Sequence, residues 1–314
     1  MKKQIAYLLF IITTVIWGFA FVSQKEVSVV PPFTVGAGRG LLAAVFLFAI
    51  IPLTDKLMGN GRRLFCKSTI IDINKKELIG GAVLGLLITV ASAFQQYGLG
   101  NGTDAGKAAF ITALYVVIVP ILSIFIGKKP SLTSIISIPI AVVGFYLLCI
   151  KPGSFLEMHD LLVLICAVIF AVQIIAVDRL SPGCDGVRMS LVQFIVSFIL
   201  NLILSLIFES GGGYYSGLLA VIPPMLFLGI LSSGIGYTLQ IIGQKGADPT
   251  VSSVILSMEA VFGVIGAAIF LGEQMTTREY IGCAVVLAAV LLAQIDIKQI
   301  SERLAARSKE KNNE

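Results

Sequence analysis

The sequence predicts an all-α membrane protein of ten transmembrane helices, arranged as two inverted five-helix repeats with the N- and C-termini cytoplasmic. Three observations lead to this fold class. Of the 314 residues, 57% are hydrophobic and only 13% are charged, whereas a soluble domain carries about 25% charged residues. Ten mostly apolar segments have the length of about 20 residues that crosses a bilayer. Lysine and arginine are abundant in every second connection and scarce in the others.

The ten apolar segments are separated by residues that start or stop helices. Pro32 precedes the second segment, Pro130 the fifth and Pro249 the ninth, and proline favours the first turn of a helix. The longest connection, 54–76, carries several charges and an Asn-Gly pair, which predicts a solvated loop. The predicted segments are 5–24, 33–53, 77–99, 106–126, 131–150, 160–178, 188–208, 220–243, 250–271 and 279–297.

The positive charges orient these segments. With the N-terminus inside, the cytoplasmic connections and ends hold 18 of the 23 lysines and arginines, and the outer connections hold four. Cytoplasmic loops of membrane proteins are enriched in basic residues, so an even number of spans with both ends inside is predicted. The topology accounts for the net charge of +5, and nucleic acid is therefore not expected as a partner.

No cofactor, metal site or catalytic residue is predicted. The five cysteines lack paired spacing, and Cys149, Cys166 and Cys283 fall inside apolar segments, where a thiol behaves as a small hydrophobic group. The single histidine, His159, begins a helix without an evident partner. The glycines at 98, 100 and 102 follow no predicted strand, so they indicate a turn rather than a nucleotide-binding loop.

The two halves of the chain are similar to each other. When the sequence is shifted by 145 residues, Gln95 falls on Gln240 and Gly98 falls on Gly243. Each half holds five apolar segments, and because five is odd, the second half must enter the membrane from the opposite side. Inverted repeats are typical of transporters, although duplications also occur in channels and membrane enzymes. The predicted parts are a first repeat at 1–150, a second at 151–300 and a charged cytoplasmic tail at 301–314.

Several motifs are similar to those of the EamA-like transporters in the drug/metabolite transporter superfamily. The run 103–120 resembles the fourth-helix pattern of that family, and the runs 256–262 and 270–276 resemble its ninth-helix motif. Trp17-Gly18 in the first segment and Arg39 in the second are also similar. The resemblance covers both halves, and it is specific for the superfamily but not for a substrate.

The resemblance implies a ten-helix carrier with a central cavity lined by helices from both halves. Members of the family move amino acids, sugars, nucleotide derivatives or other metabolites across bacterial inner membranes, often outward. One departure is Ala260, where many relatives carry proline. This departure leaves open whether the ninth helix kinks beside Glu259.

Two charges lie within the predicted segments away from the segment ends, where a charge costs at least a few kcal/mol and rarely faces lipid. Glu259 lies in the ninth segment and Arg39 in the second. Their depths in the membrane differ by only about 7 Å at about 1.5 Å per residue. The two side chains can therefore bind opposite charges of one zwitterionic solute, or form a structural ion pair between the two helices. These alternatives do not exclude each other.

Bulky polar side chains in other segments complete the candidate cavity. Glutamine and tyrosine are harder to hide between packed helices than serine and threonine, which more often join helices to each other. The pairs Gly36-xxx-Gly40 and Gly81-xxx-Gly85 are instead predicted to let helices pack closely. The candidate substrate-binding residues are Glu259, Arg39, Tyr115, Gln95, Gln96, Gln193, Tyr237, Gln240 and Trp17.

The predicted function is secondary active transport of a small metabolite, an amino acid or related solute, across the bacterial inner membrane by alternating access and in the outward direction. Glu259 is the candidate proton carrier because it is the only acid in the middle of a segment. The alternative is a membrane-embedded enzyme or flippase acting on lipid-linked substrates, which would need clustered acids or histidines. A third hypothesis is a signalling or structural partner. Expected partners are the solute and membrane lipid, with the protein a monomer or homodimer.

Overall fold

The computed structural model describes residues 3–57, 72–128, 130–150, 157–209, 221–271 and 276–294, and this part of the chain is helical with no strand. A 3-10 turn, Val27–Val29, follows the first helix, and a π-helix, Phe227–Tyr237, joins α9 to α10. The helices are α1 Lys3–Glu26, α2 Pro32–Leu57, α3 Lys75–Gly100, α4 Ala105–Ala113, α5 Tyr115–Phe125, α6 Leu132–Cys149, α7 Met158–Leu180, α8 Gly186–Phe208, α9 Ile222–Leu226, α10 Thr238–Gln244, α11 Pro249–Leu256, α12 Glu259–Leu271 and α13 Thr277–Gln294.

Eight stretches of this helical structure are long and apolar enough to cross a membrane. They coincide with eight of the predicted segments, and the remaining two segments correspond to α6 and α13, which pack against each other. Most of the predicted loop 54–76 and the whole predicted tail 301–314 lie outside the residues that the structure describes. The eight stretches are Lys3–Val29, Pro32–Lys56, Lys75–Gly100, Ala105–Phe125, Met158–Leu180, Gly186–Phe208, Ile222–Gln244 and Pro249–Phe270.

Polar side chains cap the helices where they leave the apolar region. Asn74 and Glu77 form a reciprocal capping box at the start of α3, with hydrogen bonds of 2.9 and 3.0 Å. Asp185 and Asp248 accept hydrogen bonds from the first backbone N–H groups of α8 and α11. These contacts satisfy donors that have no partner within their own helix.

Glycine faces on α2 and α3 hold α8 between them. A Cβ added at Gly40 would lie 2.8 Å from the backbone nitrogen of Phe198, and one added at Gly85 would lie 2.5 Å from the carbonyl oxygen of Gln193. Only hydrogen fits at such distances, so the backbones approach closely. The predicted role of these glycines in helix packing is confirmed. The glycines in contact with α8 include both predicted pairs, Gly36 with Gly40 and Gly81 with Gly85.

A buried ion cluster fixes the beginning of α8. The Arg188 guanidinium donates to both carboxylate oxygens of Asp55 at 2.8 and 2.7 Å, and to Asp185 at 2.9 Å. Its Nε donates to the carbonyl oxygen of Asp72 at 2.9 Å. Every nitrogen of the guanidinium therefore has an oxygen partner, as burial of a charge in a protein interior requires.

The other end of α8 is joined to the beginning of α2. The Glu209 carboxylate accepts hydrogen bonds from the backbone nitrogens of Phe33 and Thr34, each at 2.8 Å, and from the Thr34 hydroxyl at 2.8 Å. A carboxylate at a helix N-terminus satisfies unpaired N–H groups and is favoured by the helix dipole. The antiparallel pair α2–α8 is thus held at both ends by charged groups and along its length by glycine contacts.

Two of the stretches that can cross a membrane are interrupted near their middle. The first break separates α4 from α5 at Leu114, and the second separates α11 from α12 at 257–258. At the second break, the hydroxyls of Ser253 and Ser257 donate to carbonyl oxygens three residues earlier in the chain, each at 2.8 Å. Such bonds compete with the helical backbone bonds and bend helices. The chain therefore breaks beside Glu259 even though Ala260 stands in place of a proline.

The glycine contact between α2 and α8 can be tested by adding one methyl group. Gly40→Ala should lower the free energy of unfolding by about 1–3 kcal/mol, because the new Cβ would overlap the backbone of α8. Gly106→Ala is the matched control, since the nearest atom to an added Cβ there is 3.8 Å away. Thermal unfolding of the purified protein in detergent measures both changes. Equal unfolding midpoints for the two variants would contradict the close approach of the helices.

Candidate functional site

A cavity of about 440 Å³ lies between helices from both halves of the chain. Its walls come from α1, α2, α3, α4, α5, α7, the π-helix, α10 and α12. Ligand sites in proteins are typically concave and mostly apolar, with a few polar groups that fix orientation. Seven of the nine predicted substrate-binding residues line this cavity: Glu259, Arg39, Tyr115, Gln95, Tyr237, Gln240 and Trp17.

The cavity lies where the helical backbone is irregular. Tyr115 and Glu259 are the first residues of α5 and α12, immediately after the two breaks, and Ser232 and Tyr237 belong to the π-helix. Irregular backbone inside a membrane is tolerated only where it is buried in protein or faces an aqueous cavity. Interrupted helices and π-helices are also common at functional sites.

Aromatic rings form one wall of the cavity. The rings of Trp17 and Tyr237 are 4.6 Å apart between centroids and inclined by 50°. On its other side, Tyr237 meets Phe194 edge-on at 5.7 Å. The indole nitrogen of Trp17 donates to the carbonyl oxygen of Ser232 at 3.2 Å, which joins α1 to the π-helix. This wall offers a solute a rigid apolar surface with polar atoms at its edges.

Paired amides form another part of the lining. The side chains of Gln240 and Gln173 exchange two hydrogen bonds, at 3.2 and 3.0 Å, and so join α10 to α7. Gln95 donates to the Thr112 hydroxyl at 3.0 Å and joins α3 to α4. Gln173 was not among the predicted site residues. Its signal in the sequence was a bulky amide within an otherwise apolar segment, the same signal that identified Gln240.

The two buried charges share the cavity but do not bind each other. Arg39 is 7% exposed and donates to the hydroxyls of Ser233 and Ser232 at 3.3 and 3.5 Å. Glu259 is 4% exposed, and its Oε1 has no hydrogen-bond partner among the described residues. The ion pairs of the described residues do not include one between Arg39 and Glu259, so the structural ion pair considered from the sequence is absent.

The structure does not bring the other two predicted residues to this cavity. Gln96 donates to the backbone carbonyl oxygen of Gln24 at 3.0 Å and borders a separate space of about 200 Å³. Gln193 is completely buried where α8 meets α3, and neither end of its amide has a partner among the described residues. Both lie on helix faces that turn toward neighbouring helices rather than toward the central space.

Comparisons with known proteins agree with this architecture. The sequence model of the EamA-like transporter family matches residues 4–150 and again residues 158–294. An uncharacterized transporter of Archaeoglobus fulgidus is 28% identical over 222 residues, which is 69% of either chain. A protein of known crystal structure shares the fold, with a TM-score of 0.73 and 17% identity over 97% of this chain and 99% of that one.

The reciprocal amide pair can be tested with a double-mutant cycle. Gln173→Leu and Gln240→Leu should each destabilise the protein by about 1–3 kcal/mol, because each leaves the other amide buried without its partner. The double variant should lose less than the sum, with a coupling of about 0.6–1.7 kcal/mol, the range for hydrogen bonds between helices in membranes.

Unfolding of the purified variants in detergent provides the measurement. Thr89→Val combined with Gln173→Leu serves as the control pair, because Thr89 bonds to Gly85 and Ser197 at the α3–α8 contact and should give additive losses. Strict additivity for the two glutamines would contradict the paired arrangement.

Proposed function

Because the chain belongs to the EamA-like transporter family, we propose that it is a secondary active transporter that moves a small metabolite through the central cavity by alternating access. It is a multi-pass protein of the plasma membrane, and the family and the archaeal relative indicate a transporter rather than an enzyme. The observation that carries the proposal is the cavity itself, which combines buried charges, amides and aromatic rings at the breaks of the helices.

The proposed architecture is ten spans in two inverted repeats, 1–150 and 151–300. In this arrangement each helix of the first repeat has an equivalent in the second: α1 corresponds to α7, α2 to α8, α3 to the π-helix with its flanks, and α4–α5 to α11–α12. The packing is consistent with this exchange, because α3 contacts α7 as α1 contacts the π-helix, and α7 contacts α4–α5 as α1 contacts α11–α12. The α2–α8 and α6–α13 pairs map onto themselves. Two such halves can open a shared site to either side of the membrane.

Glu259 is the proposed proton carrier. It lines the cavity, is almost completely buried, and has no cationic partner among the described residues. A buried carboxyl without a positive partner readily takes up a proton, because the neutral form avoids the cost of burying a charge. Proton binding and solute binding at one cavity would couple the two fluxes. The proposed direction is export, and the proposed cargo is an amino acid or a related solute.

Removal of the acid should separate coupling from binding. Glu259→Gln keeps the shape and polarity of a protonated glutamate but cannot ionise. In liposomes, the variant should still exchange solute across the membrane, whereas accumulation driven by a pH gradient should be lost. Glu157→Gln is the control, since that carboxyl is 65% exposed. The cargo for this assay is the solute whose level changes selectively when the protein is overproduced, measured by untargeted metabolite profiling.

Two results would contradict these proposals separately. Undiminished pH-driven accumulation in Glu259→Gln would exclude this residue as the proton carrier, while transport itself would stand. Unchanged solute pools on overproduction of the wild-type protein would contradict export.

The orientation is tested with reporter fusions. A fluorescent protein that folds only in the cytoplasm should be fluorescent when fused to the C-terminus or after Lys128, in the connection between α5 and α6. Alkaline phosphatase, which is active only outside, should be active when fused after Asn101, between α3 and α4. Activity of alkaline phosphatase at the C-terminus would contradict an even number of spans.

A further inference from the structure

Arg39 is a buried cation whose charge is not balanced by any described acid. Its guanidinium makes two long contacts, 3.3 Å to the Ser233 hydroxyl and 3.5 Å to the Ser232 hydroxyl, and no carboxylate of the described residues forms an ion pair with it. A buried charge is normally paired, because its transfer from water to a medium of low dielectric is costly.

The same protein contains a buried arginine that is fully paired. Arg188 has four hydrogen bonds of 2.7–2.9 Å to Asp55, Asp185 and Asp72, three of them to carboxylate oxygens. Charge-assisted hydrogen bonds of arginine to carboxylate are characteristically this short. The contacts of Arg39 are longer, fewer and made to neutral hydroxyls. The comparison indicates that Arg39 is held in place by the protein but not neutralised by it.

Arg39 borders more than one space between the helices. Arg39 borders the central cavity, and it also borders two smaller spaces of about 200 and 240 Å³ between α2, α3 and α8. Asn201 lines both smaller spaces.

The two serines can contribute further donors. A hydroxyl that accepts a hydrogen bond from arginine still has its own hydrogen to donate. Ser232 and Ser233 both belong to the π-helix and present their hydroxyls to the same guanidinium. A guanidinium flanked by hydroxyls supplies a positive charge and several donors, and an anionic group that accepts hydrogen bonds fits such a site.

We propose that Arg39, together with Ser232 and Ser233, forms an anion-binding subsite of the central cavity. The shared chemistry is a small monovalent anion, either a carboxylate of the transported solute or a free halide ion. Assignment of the anion to the cargo rests on the transport function proposed above, whereas the subsite itself does not depend on it. A carboxylate bound here leaves the rest of the solute against Trp17, Tyr237 and Gln240.

A single tryptophan makes the subsite directly observable. Trp17 is the only tryptophan in the chain, and its indole bonds to the backbone of Ser232, whose hydroxyl contacts Arg39. Iodide quenches tryptophan fluorescence on contact and is itself a small anion. The test titrates iodide into the purified full-length protein in detergent, with ionic strength held constant by potassium sulfate and with neutral acrylamide as the comparison quencher.

Saturable quenching by iodide is the expected result, together with non-saturable quenching by acrylamide. Competitors then identify the anion: relief of quenching by acetate and propionate, but not by acetamide and propionamide, assigns the site to a carboxylate. Relief by chloride alone assigns it to a halide and removes the link to the cargo. Non-saturable iodide quenching in the wild-type protein, unaffected by any competitor, would overturn the subsite.

Variants connect the signal to Arg39. Arg39→Gln should weaken iodide binding roughly ten- to a hundredfold, the loss of a charged hydrogen-bonding partner, and Arg39→Lys should give an intermediate value because it keeps the charge but not the fork. Lys245→Gln removes a charge that bonds to Cys184 outside the cavity and should leave quenching unchanged. Unaltered saturable quenching in Arg39→Gln would overturn the assignment, and the wild-type competition remains decisive if that variant fails to fold.

The subsite and the transport function can fail independently. Saturable anion binding without any solute flux in liposomes would contradict transport and leave the subsite standing. Solute flux without saturable anion binding would contradict the subsite and leave the transport function standing.

Discussion

In the interior of a bilayer no water is present to satisfy polar groups, so each N–H, carbonyl, amide and charge must find its partner within the protein. Most of this molecule follows that constraint: the backbone is helical, Gln173 and Gln240 pair through both ends of their amides, and Arg188 is surrounded by acidic oxygens. Two charged residues of the cavity are exceptions, because no described residue of opposite charge pairs with either of them. Arg39 and the Oε1 atom of Glu259 both belong to residues lining one cavity, and a solute or a proton can supply what the protein does not.

The same constraint separates a closely packed part of the molecule from an irregular part. Helix α8 is pressed between the glycine faces of α2 and α3 and is joined to α2 through Glu209 at one end and through Arg188 and Asp55 at the other. On the other side of the cavity, by contrast, two stretches are broken and a third is wound as a π-helix. A rigid frame beside a site of irregular backbone suits a carrier, in which a fixed scaffold supports the parts that change their exposure.

Much of the fold could be predicted from local signals, because the length of an apolar run and its terminal residues act within one helix. Pro32 and Pro249 begin helices where expected, and the glycine pairs pack as expected. The sequence did not decide whether the helix breaks beside Glu259, because the proline that many relatives carry there is absent. The cause is local but inconspicuous: the hydroxyls of Ser253 and Ser257 bond back to the helix, and serine gives this effect only in some contexts.

By itself, the sequence indicated a helical membrane protein with polar residues inside its segments, and seven of its nine candidate residues line the cavity. Only the tertiary structure decided how these residues combine. Gln193 lies against α3 rather than in the cavity. Gln173 forms hydrogen bonds with Gln240, and Arg39 donates to two serines instead of pairing with Glu259. Helical periodicity specifies which residues share a face, but the rotation of each helix toward its neighbours depends on contacts between residues far apart in the chain.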